Sequence, residues 1–183
     1  MQDVVHLRYI LKIGRVEGMN NIDIANGIVF QKLKISKDSF DERLICQKKI
    51  YLLQSLGTNL GYTYNWYVRG PYSPALTTYI YTNLDVLTSS DFSDYKLAKI
   101  ADRNIQCVNN LEKRKRSDFT TASWYELLAS LLYIYNNRES WEIDDQENSL
   151  FLTLIKYKPQ YNEDQCQHAF RVLVDERFVE MGS

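Results

Sequence analysis

Apolar residues recur at helical spacing along most of this chain. Val4, Leu7, Ile10 and Leu11, closed by Gly14, predict a first helix over residues 4–14. Asn20 and Asn21 can cap a second helix, with Asp23 in its first turn and Lys32, Lys34 and Lys37 at its end, where each charge complements the helix dipole. Gly27 inside that segment works against it. A third helix is expected over Phe40–Leu56. Its centre, Ile50-Tyr51-Leu52-Leu53, is apolar all round, which marks it as buried on several sides and as the structural centre.

From Gly61 the period changes to two. Tyr62, Tyr64, Trp66 and Val68 alternate with Thr63, Asn65, Tyr67 and Arg69, which predicts a strand. Gly70-Pro71-Tyr72-Ser73-Pro74 ends it. Ser73 then serves as N-cap and Pro74 as the first residue of a helix reaching about Leu84. The polar stretch Thr88 to Asp94 reads as a loop, followed by a helix from Tyr95 through Asn110 that closes on Lys113-Arg114-Lys115-Arg116. Ser123-x-x-Glu126 has the spacing of a capping box, and Trp124, Leu127, Leu128, Leu131, Leu132 and Tyr135 follow on one helical face. A helix over 148–157 precedes Pro159. Asn162-x-x-Gln165 opens the last helix, with Cys166, Ala169, Phe170 and Leu173 on one side. The run Leu173 to Val179 has the look of a recognition helix entering a wing strand, with no second wing strand behind it.

No linker or internal repeat interrupts this pattern. The expectation is one mainly α domain over 1–183, of about seven helices with a short aromatic β-strand or small β-hairpin and a winged-helix-like C-terminal part. Seven glycines and three prolines among 183 residues are well under average usage and agree with helices. Twenty-two basic and 23 acidic residues leave a net charge of −1, which argues against dominant non-specific nucleic-acid binding. Cys46, Cys107 and Cys166 are odd in number and widely spaced, as expected of small buried hydrophobes in a reducing cytoplasm. Met1-Gln2-Asp3, with His6, Arg8 and Lys12 close behind, lacks the apolar core of a signal peptide. The longest uncharged apolar segment, Leu127 to Tyr135, falls far short of the ~20 residues that span a bilayer, so no membrane partner is expected.

Reactive groups are sparse. His6 and His168 are far apart in sequence, and His168 follows Cys166 by two, a spacing that points to different helix faces. Neither a zinc site nor another cofactor is expected. Asp144, Asp145 and Glu147 form an acidic cluster whose simplest reading is a solvated loop, with a metal-dependent enzyme as the remote alternative. Ser73 already has a capping role, and with two histidines in the chain there are few candidates for the base a nucleophile there would need. No catalytic residue is assigned, and a non-enzyme is expected.

Two clusters suggest contact surfaces. Tyr64, Tyr67, Arg69, Gly70, Pro71 and Tyr72 crowd one short segment. Core packing and partner binding are equally good accounts of it, because tyrosine and arginine are the side chains that anchor protein interfaces. Lys113, Arg114, Lys115 and Arg116 either complement a helix C-terminus or contact nucleic acid or an acidic partner.

Residues 43–87 carry a resemblance. The helix Gln47-Lys48-Lys49-Ile50-Tyr51-Leu52-Leu53-Gln54, the strand Tyr64-Asn65-Trp66-Tyr67 and then Gly70-Pro71-Tyr72-Ser73-Pro74 with Leu76 resemble the Panacea-type antitoxin domain, whose relatives include SocA-like antitoxins and YwgA-like bacterial proteins. The match covers about a quarter of the chain, and the segment from Met19 to Ser39 departs from the pattern as an insertion. The resemblance implies a small, mainly helical cytoplasmic protein that binds another protein, either a toxin that it neutralises or a protease component to which it acts as adaptor. The aromatic strand, the Gly70 to Pro74 turn and the lack of a catalytic set make Tyr67, Arg69 and Tyr72 candidate exposed anchors. A winged-helix DNA-binding regulator is the alternative expectation, from the C-terminal pattern and the Lys113 to Arg116 run.

Overall fold

The computed structural model describes residues 10–12, 19–143 and 147–179. Its chain order is β1 (Ile10–Lys12), α1 (Asn21–Leu33), α2 (Phe40–Ser55), β2 (Asn65–Tyr67), β3 (Gly70–Tyr72), α3 (Pro74–Ser89), β4 (Tyr95–Leu97), α4 (Lys99–Lys113), α5 (Thr121–Asn136), α6 (Glu147–Tyr157) and α7 (Glu163–Asp175). The protein is thus mainly helical, with two small antiparallel pairs among the described residues, β1 with β4 and β2 with β3.

Short polar side chains start most of the helices. Asn20 Oδ1 accepts from the backbone N–H groups of Ile22 and Asp23 at 2.8 and 2.9 Å, satisfying two of the donors that the first turn of α1 leaves free. Reciprocal capping boxes open α2 through Ser39 and Glu42 and α7 through Asn162 and Gln165. Ser73 caps α3 with Pro74 as its first residue, as the sequence pattern predicts. Gly27 has a packing reason: a Cβ there would collide with the ring of Phe92, so its absence lets α1 approach the segment after α3.

The buried apolar side chains form one cluster centred on α5, which packs against α2, α4, α6, α7 and β3. Ala122, Trp124 through Leu132, and Ile134 are all buried, so α5 surpasses α2 as the central element. Ile50, Tyr51, Leu52 and Leu53 of α2 are buried as expected. The two largest side chains of the core resolve their polar atoms on α4: Trp124 Nε1 donates to the Leu111 carbonyl at 2.7 Å and Tyr125 Oη to that of Val108 at 3.1 Å. The first of these acceptors lies in the last turn of α4, where it also takes the cap N–H of Arg114 at 3.2 Å.

Several expectations change. Ile10–Lys12, assigned to the helix over 4–14, is a strand that pairs Ile10 with Leu97 and Lys12 with Tyr95; residues 1–9 and 13–18 of that segment lie outside the described residues. Tyr95–Leu97 is therefore strand too, with Tyr95 and Leu97 buried and Lys96 exposed, and α4 begins only at Lys99. The α3 helix continues past Leu84 to Ser89. Instead of one strand over 61–69, the chain reverses at Val68-Arg69 into a hairpin that pairs Tyr67 with Gly70 and Asn65 with Tyr72. Ser123 and Glu126 form no capping box: α5 starts earlier, Thr120 Oγ1 accepts from Ser123 N at 3.1 Å, and Glu126 turns into the core. The expected wing strand is a turn. The helix α7 ends at Asp175, Phe178 N donates to the Leu173 carbonyl at 2.8 Å, and Phe178 and Val179 are buried.

Candidate interaction surface

The β2–β3 hairpin is held from beneath by side chains of three helical segments. Gln47 of α2 uses both ends of its amide on one residue: Nε2 donates to the Ser73 carbonyl at 3.0 Å and Oε1 accepts from the Ser73 N–H at 2.9 Å. The same Nε2 reaches Thr77 Oγ1 at 2.8 Å, and Thr77 Oγ1 lies 2.8 Å from Tyr72 Oη. The next residue, Lys48, donates from a buried ammonium to the Pro71 carbonyl. Consecutive residues of one helix thus fix the backbone on either side of Tyr72.

A second buried ammonium fixes the turn. Lys158, just beyond α6, donates to the Val68 carbonyl at 2.9 Å and to Glu126 Oε1 at 2.5 Å. The other carboxylate oxygen of Glu126 accepts from Arg69 Nη1 at 3.1 Å. Glu126 and Lys158 are both buried, whereas the Arg69 side chain is 56% exposed. Burial holds the Lys48 ammonium down to about 7, with the nearby Glu126 charge opposing the shift and Lys158 and Arg69 adding to it. Burial likewise lowers Lys158, against the stabilising contact with Glu126.

At Gly70 the backbone takes φ +78, and a Cβ would collide with Ser130 Oγ of α5. The close approach leaves the Ser130 hydroxyl buried without a hydrogen-bond partner. Gly70 therefore meets two demands at once, a left-handed backbone and contact with a helix.

What this scaffold presents is apolar. Val68 is 90% exposed, Phe40 56% and Tyr67 46%. The Arg69 guanidinium carbon lies 5.9 Å from the centroid of the Phe40 ring, while Tyr67 and Tyr72 meet edge to face at 5.2 Å. Phe40, at the start of α2, thereby joins the hairpin turn in one surface.

Of the residues singled out in the sequence, Tyr67 and Arg69 are exposed, Tyr72 is half-buried beside Tyr67, and Gly70 and Pro71 are buried as parts of the support. Tyr64 is half-buried with its hydroxyl enclosed and unpaired, packed edge to face on Tyr51 at 5.1 Å. Sequence reasoning missed Phe40, Val68, Glu126 and Lys158. Two lysines inside the otherwise apolar heart of α2 were the available signal for the buried cations.

The Lys113 to Arg116 run has local partners. Arg114 pairs with Asp175 at 2.7 Å and Arg116 with Asp164 at 2.6 Å and Asp118 at 3.0 Å. Lys113 reaches Asn110 Oδ1 at 3.0 Å, and Lys115 donates to the Phe119 carbonyl at 2.8 Å. The pairs with Asp164 and Asp175 tie the α4–α5 connection to α7. His168 lies 3.0 Å from the Arg114 carbonyl and beside Trp124. Among the described residues no group of three or more His, Cys, Asp or Glu could hold a metal ion, and no helix is long and apolar enough to cross a membrane. Asp144 and Asp145 lie outside the described residues, as does the side chain of Glu147.

Comparison with protein-family models, curated proteins and solved structures finds no match to this chain.

Proposed function

We propose that this protein is an interaction module of the antitoxin or adaptor kind, which binds a partner protein directly through the tip of the β2–β3 hairpin. The observation that carries this reading is the contrast between support and display. Buried lysines and an amide lock the hairpin backbone from below, while Tyr67, Val68 and Phe40 stand in solvent above. Apolar and aromatic side chains on a rigid turn lose little entropy when a partner covers them, which suits an anchor. The kind of module comes from the resemblance of residues 43–87, which makes a toxin or a protease component the expected partner. Three free thiols, Cys46, Cys107 and Cys166, favour a reducing cytoplasm as its place.

A DNA-binding regulator finds less support, because the basic run lies in ion pairs and hydrogen bonds and residues 178–179 form no strand. The test is a pull-down from the native cell with tagged wild type and a Tyr67→Ala, Arg69→Ala double variant, both checked by thermal melting. A protein retained by the wild type and lost from the equally folded variant is expected. Equal capture by both would remove the assignment.

A further inference from the structure

We propose that the hairpin tip recognises a side-chain carboxylate of its partner protein, seated on Arg69 and flanked by apolar contacts to Phe40, Tyr67 and Val68. This inference rests on the reading of the tip as an interaction surface and adds the chemistry of what meets it.

Positive charge beneath the tip is unmatched. Arg69 and Lys158 share the single carboxylate of Glu126, one oxygen each, and Lys48 stands near enough to all three for their charges to influence its titration. Two cations thus contact one anion, and a third, Lys48, feels its charge. Loss of the Lys48 proton, with its pKa held to about 7, still leaves one positive charge in excess. The two lysines are buried, and backbone carbonyls of the hairpin occupy them. Only Arg69 carries the excess to the surface.

Arg69 also has donors to give. A guanidinium carries five N–H groups in a planar fork. Among the described residues only Nη1 makes a hydrogen bond, to Glu126, and the ring of Phe40 covers part of the guanidinium. A carboxylate can dock on the remaining edge in the two-bond geometry that makes arginine selective for it. Apolar neighbours strengthen that pair by excluding water once the interface closes.

A nucleic-acid phosphate fits less well. Phosphate backbones are held by several cations in a row, whereas the neighbours of Arg69 in this surface are Phe40, Tyr67 and Val68, and Asp41, next to Phe40 in sequence, is exposed.

The experiment is selection of peptides from a random phage-displayed library on the purified full chain, with counter-selection on the Tyr67→Ala, Arg69→Ala variant. Hairpin-dependent peptides carrying Asp or Glu between apolar residues are expected. In a synthetic copy of the best peptide, changing its acid to the amide should weaken binding about tenfold or more, and Arg69→Gln should weaken the parent peptide as much. The two changes together should do little more than either alone. Because one arm alters only the peptide, the test stands even if Arg69→Gln disturbs the fold. Hairpin-dependent peptides without an acid, or an acid whose removal changes nothing, would overturn this inference and leave the interaction surface standing. Recovery of no hairpin-dependent peptide would overturn the surface itself.

Discussion

Gln47 treats Ser73 as a neighbouring strand would, donating to its carbonyl at 3.0 Å and accepting from its N–H at 2.9 Å. Both partners are buried, so no water can take over either bond. Gln47→Leu should therefore leave the Ser73 N–H unsatisfied, while its carbonyl keeps the Thr77 N–H at 3.2 Å, and should lower stability by about 1–3 kcal/mol. Gln47→Glu keeps the acceptor but loses the donor and should also destabilise. Thermal melting checks both, and a Gln47→Glu variant as stable as wild type would show that the donor half of the clamp is unimportant.

Gly70 and Gly57 separate steric contact from backbone strain. Both have positive φ, +78 and +92, but only Gly70 faces another chain segment, at Ser130. Replacement of Gly57 by Ala should cost about 1 kcal/mol, from conformation alone. Gly70→Ala should cost clearly more. In a Ser130→Ala background the Gly70→Ala penalty should shrink toward the Gly57 value, because the colliding oxygen is gone. Denaturant unfolding of the four variants measures this coupling directly.

Glu126 is the only anion bound by Lys158 among the described residues, and both groups are buried. Glu126→Leu leaves an ammonium without its counter-charge and should lower stability by about 3–5 kcal/mol. The double replacement Glu126→Leu, Lys158→Met removes both charges and should recover much of that loss. Chemical denaturation of the single and double variants distinguishes the two.

Lys48 makes stability depend on pH. Its folded-state pKa is about 7 against an ordinary 10.5, so between those values the unfolded chain holds a proton that the folded chain has released. More protons bound to the unfolded state means that stability rises with pH across this window. Lys49 and Lys158 are lowered as well and act in the same direction. Denaturation midpoints should climb from pH 7 to pH 8.5, and Lys48→Met should flatten the climb. A wild-type profile that falls over this range would contradict the account.

How far the fold can be read from residues alone follows from what each feature depends on. Asn20, Ser73 and Asn162 cap helices through neighbours two or three positions away, and the sequence shows them plainly. The β1–β4 pair joins residues more than 80 positions apart, so Ile10–Lys12 and Tyr95–Leu97 look like the ends of helical runs until they are seen together. Glu126 illustrates the same problem at the candidate site. Its distance from Ser123 suits a capping box, whereas its partner Lys158 is 32 positions away. Tyr67 and Arg69 were legible as interface types; the exposure of Val68 depended on where the hairpin turns, and Phe40 joined them only through the packing of α2.

The central claim is that the hairpin tip meets a partner protein, and site-specific photo-crosslinking tests it most directly. A photo-reactive amino acid at Val68, which is 90% exposed, should give one discrete crosslinked protein in the native cell, while the same probe at the exposed Val86 of α3 should not. Crosslinking at Val86 with none at Val68 would place the partner elsewhere and contradict the account.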